Sequence, residues 1–206
     1  MSKLPLFVGT TNSGKLEEFR LYLGGEIDIL SPTDLGVAIT VPEDDKSIAG
    51  NAERKAVMWS QTQQHPTMCD DTGFFIDALN GKPGVSVKTF GGELPENRTN
   101  EQWIAHLLER TKDIPTDCYF ERIIVFAVAG NVIGAISDIL HGTLSRERPE
   151  KVSTSYPLGD FFIPEGDDRV WSALSEAEQR EYDSAVTQKL RDFISQHHDE
   201  LWQDNQ

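Results

Sequence analysis

Cysteine is scarce in this 206-residue chain, with Cys69 and Cys118 its only two. They lie far apart without CxxC spacing, which argues against a disulfide framework and against a zinc site, so both read as buried thiols. Basic residues are also few: 19 Lys and Arg face 34 Asp and Glu, for a formal charge of -15. A surface of that sign repels nucleic-acid backbones and anionic lipid, so neither nucleic acid nor a membrane is expected as a partner. No 18-residue apolar run is present, and Met1-Ser2-Lys3 leads into a strand-like segment instead of a signal-peptide core; a cytoplasmic location is expected. The chain also lacks an HExxH pair, a Ser in a GxSxG elbow and a GxxxxGK[ST] loop, which removes the usual zinc, serine-hydrolase and Walker signatures.

What remains is an ordinary globular composition, 38% hydrophobic and 26% charged, enough for one substantial core. Leu4 to Val8 reads as a short strand ending in the polar run Gly9-Thr10-Thr11-Asn12-Ser13-Gly14, after which Leu16, Phe19 and Leu23 recur at helical spacing. Ile48, Ala52, Ala56 and Trp59 mark a second helix. Thr67-Met68-Cys69 reads as a short strand carrying Asp70-Asp71 at its end, and Phe74 to Ala78 as another. Thr99 with Gln102, and Ser175 with Glu178, form capping-box patterns. The second precedes a helix on which Tyr182, Val186 and Phe193 share a face. Tyr119 to Ala129 and Val132 to His141 predict an antiparallel hairpin turning at Gly130-Asn131. No repeat or linker divides these elements, so the expected architecture is α/β: one domain over residues 1–206, a mixed sheet flanked by helices, with residues 199–206 a frayed polar tail.

Two constellations carry chemistry. Thr10 to Lys15 lies between a strand and a helix, where hydroxyls, an amide, helix-start N–H groups and the Lys15 charge suit a phosphate; on its own it is equally an ordinary βα loop with a solvated lysine. Asp70-Asp71, with Glu43 upstream, offers hard oxygen ligands for Mg²⁺ and a carboxylate to take a proton from water; adjacent aspartates also make plain turns. Lys55 and Lys88 are further cations that an acidic chain would need around a polyphosphate.

Taken together, Phe7 to Phe19, Val41-Pro42-Glu43, Asn51-Ala52 with Lys55-Ala56, Asp70-Asp71-Thr72-Gly73, Asp77 to Val85 and Lys88 resemble the inosine triphosphate pyrophosphatase (Ham1-like) family. The resemblance implies an elongated mixed sheet flanked by helices, a homodimer, and Mg²⁺-dependent hydrolysis of a non-canonical, purine-type nucleoside triphosphate to the monophosphate and pyrophosphate. By position it makes Thr10, Asn12, Lys15, Lys55 and Lys88 phosphate-binding, Glu43 and Asp71 metal-handling, and Asp71 with Asp70 the water-activating pair. The second half departs from the family. Ser155-Tyr156-Pro157-Leu158-Gly159-Asp160 stands where a Gly-Phe-Gly-(Tyr or Trp)-Asp-Pro run belongs, and the Ser-His-Arg motif is absent from Ser175 to Val186, leaving Tyr156, Leu158, Asp160 and Arg180 as base-pocket candidates. Altered specificity for a modified or pyrimidine nucleotide, or a silent nucleotide-binding dimeric scaffold, are the alternatives.

Overall fold

The computed structural model describes residues 3–42, 46–149 and 157–202. Of the candidate residues, Glu43 and Tyr156 lie outside the described residues. The chain forms two compact units, the first of Met1–Asp71, Arg122–Asp138 and Ser184–Gln206, the second of Thr72–Glu121 and Ile139–Asp183. Three of the four crossings fall inside strands, so the sequence carries no linker to mark a division.

The strands are β1 (Leu4–Val8), β2 (Ile27–Leu30), β3 (Thr67–Ile76), β4 (Lys82–Gly84), β5 (Asp117–Val128), β6 (Asn131–Leu144) and β7 (Phe162–Pro164). They make one mixed sheet in the order β2-β1-β3-β5-β6-β7, with β4 paired to β3. The helices are α1 (Ser13–Leu23), α2 (Pro32–Leu35), α3 (Ile48–Ser60), α4 (Asn100–Thr111), α5 (Glu176–Tyr182), α6 (Ser184–Gln196) and α7 (His198–Trp202).

In the first unit β1 is parallel to both β2 and β3, which flank it. The chain therefore moves one way across the sheet through α1 and back the other way through α2 and α3. Right-handed crossovers taken in opposite directions put their helices on opposite faces, and the core is divided accordingly. Leu6, Val8, Met68, Ile124 and Phe126 pack with Phe19 and Tyr22 of α1 and with Val186, Leu190 and Phe193 of α6. Phe7, Cys69, Val125 and Ala127 pack with Ala52, Ala56 and Trp59 of α3. Even-numbered positions of β1, β3 and β5 thus face α1 and odd-numbered ones face α3, the period-two alternation of a strand.

The second unit has its own core, where Phe74, Ile76, Phe90, Trp103, Ile104, Leu107, Leu158, Phe161 and Phe162 cluster. Both predicted capping boxes are present: Thr99 and Gln102 exchange hydrogen bonds of 3.2 and 2.8 Å at the start of α4, and Ser175 and Glu178 do so at α5.

Several sequence expectations are corrected. The segments around Asp70-Asp71 are one ten-residue strand, not two, because lysines from flanking helices satisfy carboxylates that would otherwise favour a turn. The helix expected after Ser175 is broken at Asp183 into α5 and α6, so Tyr182 packs with Trp171 in the second unit while Val186 and Phe193 serve the first. The tail is not frayed through Trp202: Leu201 is 1% exposed, and the Trp202 indole N–H donates to the Pro5 carbonyl at 2.9 Å. Two apolar side chains among the polar ones suffice to dock that last turn.

The hairpin between β5 and β6 turns at Ala129-Gly130, one residue earlier than expected. Both residues have positive φ, 48° and 85°, as a two-residue type I′ turn requires. Alanine is strained there, since its Cβ crowds the carbonyl in the left-handed region. Ala129→Gly is expected to stabilise the protein by about 1 kcal/mol, seen as a higher urea midpoint at unchanged slope; an unchanged or lower midpoint would mean that the turn relaxes the alanine.

Candidate functional site

The site begins where β1 ends. Gly9 follows Val8 and its N–H donates to the Met68 carbonyl at 3.0 Å. A Cβ at Gly9 would lie 2.5 Å from the Cys69 sulfur and 2.6 Å from the Trp59 ring, so only glycine brings the chain this close to β3 and α3. The loop then turns into α1. Asn12 is the N-cap: its Oδ1 accepts from the Gly14 and Lys15 amides at 2.9 and 3.4 Å, and its own N–H donates to Thr10 Oγ1 at 3.2 Å. Asn12 and Thr10 thus shape the loop that starts the helix.

The crevice outside the carboxyl end of β1, where neighbouring connections leave in opposite directions, is the place where open α/β sheets hold ligands. β3 continues past the residue paired with Val8, and Asp70 and Asp71 are among its next residues. Asp70 is an even position and faces α1, where Lys15 Nζ lies 2.7 Å from its Oδ2. Asp71 is odd and faces α3, where Lys55 Nζ lies 2.6 Å from Oδ1 and Asn51 Nδ2 3.4 Å from Oδ2. Asn51 and Lys55 are four residues apart on one helix and so reach the same carboxylate. The adjacent aspartates are therefore divided between the two faces of the sheet, each with its own lysine.

Burial opposes charge on the Asp70 carboxyl, which is only 2% exposed, but Lys15, Arg122 and Lys55 outweigh it and hold the group below the ordinary carboxylate range. Burial also pushes the neighbouring Cys69 thiol far up, with the Asp70 charge adding to it, so Cys69 is a packing residue and not a nucleophile. Arg122 of β5 was not among the sequence candidates. Its signal was a cation immediately before the apolar run from Ile123 to Val128, at a position whose parity matches Asp70.

Lys88 belongs to the second unit, is exposed, and pairs with Glu96 at 3.2 Å. In that unit Leu158 is 3% exposed inside the core and Asp160 7%, while Arg180 pairs with Glu176 one turn away at 3.1 Å. A cavity of about 400 Å³ in the second unit is lined by Asp77, Asp117, Glu165 and Asp167 together with His141 and Cys118. Four carboxylates around it oppose a polyphosphate, so it is not the phosphate site despite its size.

Among the described residues no group of three or more His, Cys, Asp or Glu is arranged to hold a metal. A closed protein cage is not what Mg²⁺ uses: one or two carboxylates plus waters and substrate phosphates complete its octahedron. Asp71, a partly exposed hard-oxygen donor at the crevice, fits that pattern. No helix among the described residues is long and apolar enough to cross a membrane.

A family model described as the Ham1 family matches residues 6–191. A dITP/XTP pyrophosphatase of Rhodopirellula baltica is 32% identical over 166 residues, 78% of this chain and 77% of that protein. One from Anaeromyxobacter dehalogenans is 39% identical over 95 residues, 45% of this chain and 40% of the relative. Among solved structures, a Ham1 protein from Coxiella burnetii matches with a TM-score of 0.79 over 94% of this chain and 99% of the other, at 22% identity; the fold is shared.

Proposed function

This chain belongs to the Ham1 family, and from that premise we propose that it is a Mg²⁺-dependent nucleoside triphosphate pyrophosphatase, releasing the monophosphate and pyrophosphate by attack of water at the α-phosphorus. One observation carries the reading. Two lysine–aspartate pairs meet the carboxyl end of β1 from opposite faces of β3, so a negatively charged ligand and a water-activating carboxylate have their partners in one crevice despite the acidic chain.

Lys15 and Lys55 present their ammonium groups to phosphoryl oxygens, where each offsets charge that grows in the transition state. The loop from Thr10 to Gly14, held by the Asn12 cap, orients the phosphate tail against the start of α1. Lys55 donates to Asp71 Oδ1 and Asn51 to its Oδ2, and together they fix the rotamer of that side chain; the Asp71 carboxylate, so oriented, is the group that receives the proton of the attacking water. Mg²⁺, which Asp71 with Glu43 would hold, supplies positive charge against the phosphoryl and leaving oxygens when bound. Lys88 is the remaining phosphate-binding candidate. A cytoplasmic homodimer completes the proposal.

For the base, the reading follows the departure of residues 155–160 from the family run. Leu158 occupies the second aromatic position of the family run and is committed to a core with Phe74, Phe90 and Trp103. That favours a rebuilt base pocket, with Tyr156, Asp160 and Arg180 as its candidates, and specificity extending to a modified or pyrimidine nucleotide. A panel of ITP, XTP, dUTP and the standard triphosphates, assayed for pyrophosphate with and without Mg²⁺, tests the reading. Metal-dependent pyrophosphate release from at least one is expected. Release of single phosphates refutes α-attack, and binding without turnover selects the scaffold.

A further inference from the structure

Lys15 is asked to do two things, and they conflict. It neutralises Asp70, whose side chain is 2% exposed, and under the proposed function it also engages a phosphate. Withdrawing one partner of a buried ion pair leaves an uncompensated charge in a poorly solvated place, at a cost that would be subtracted from ligand affinity. The region around Asp70 contains a second cation. Arg122 stands on β5, the neighbour of β3 in the sheet, and both it and Asp70 reach α1, Arg122 through Glu18 and Asp70 through Lys15; its charge also acts on Asp70. Arg122 is itself anchored: Nη1 lies 2.7 Å from Glu18 Oε1, and the Tyr22 hydroxyl donates to that same oxygen. Glu18 is three residues beyond Lys15 on α1, hence on the same face of the helix. Two acids and two bases thus alternate between α1 and the sheet: Lys15, Asp70, Arg122, Glu18.

We propose that Arg122 is a positioning residue for Lys15: held by Glu18, it stays beside Asp70 as a resident counter-cation, so that the Lys15 ammonium is free to swing from Asp70 to a phosphate oxygen. This rests on the reading of the Lys15 loop as a phosphate site. Without Arg122, Lys15 is locked onto Asp70 and the crevice loses phosphate affinity while Asp71 and Lys55, on the other face, are untouched.

Inorganic tripolyphosphate, titrated calorimetrically into the full chain, isolates the phosphate step from any question of base. Arg122→Gln is expected to weaken binding about 10-fold or more, whereas Arg122→Lys, which restores the charge, returns it to within about 3-fold of the parent. In a Lys15→Gln background the Arg122→Gln effect should vanish, because no lysine remains to be locked; a loss of folding quality alone would persist there. Should Arg122→Gln fail to fold, the charge-balanced Glu18→Gln/Arg122→Met double variant carries the same comparison. Parent-like affinity in Arg122→Gln or in the Glu18→Gln/Arg122→Met double variant, or additive losses with Lys15→Gln, overturns the role of Arg122. If Lys15→Gln itself leaves tripolyphosphate affinity unchanged, the phosphate-loop reading has failed first, and this proposal with it.

Discussion

Asp71→Asn is expected to lower turnover by roughly 100-fold or more, the usual cost of removing a general base or metal ligand, on whichever triphosphate the parent hydrolyses best. The amide is nearly isosteric, and its oxygen continues to accept from Lys55 Nζ, which sits 2.6 Å from Oδ1 in the parent. Fold and far-UV circular dichroism should therefore be retained. Under the proposed mechanism, what is lost is the proton-accepting carboxylate and its negative charge toward a cation. The largest effect should fall on kcat. A variant that turns over at the parental rate would remove Asp71 from the mechanism, whatever the state of the neighbouring residues.

The second large effect is on stability. Asp70→Asn leaves Lys15 and Arg122 facing a neutral amide, and the expected loss is about 3 kcal/mol at neutral pH. That is the low end for breaking a buried pair, because the Lys15 side chain is 27% exposed and still reaches solvent. The parent should show the same loss on acidification. Its folded Asp70 carboxyl titrates below the unfolded value, so the contribution is fully present above the unfolded pKa near 3.9. It is lost as pH falls through the lower folded pKa. Urea titrations of parent and variant should accordingly converge at pH values below about 3.9. A stability gap of constant size from pH 7 to the acid limb would show that the Asp70 charge is not what holds this face together.

Much of this was legible in the residues. The strand, polar loop and helix from Leu4 to Leu23, the Ile48 to Trp59 helix and both capping boxes follow from local spacing and cap chemistry, which act within a few residues and need no tertiary knowledge. The division of Asp70 from Asp71 was not legible as a functional fact. Adjacent acids in a sequence look like partners, whereas a strand sends successive side chains to opposite faces, and recognising the strand required the lysines that satisfy it. Those lysines come from 55 and 16 residues away, beyond the reach of any pattern. Arg122 was hidden for the same reason, and the docked final turn because two apolar side chains, Leu201 and Trp202, among acids and amides read as solvent-facing.

The placement of the two lysine-bearing helices on opposite sides of one strand has a consequence for altering the protein. Each helix is seated by its own apolar cluster, so the charge that Lys55 brings to Asp71 does not depend on how α1 is packed, nor Lys15 on α3. The arrangement is modular at the level of a single strand: the α1 flank with Lys15 and Asp70 can be rebuilt while the α3 flank with Lys55 and Asp71 is inherited unchanged.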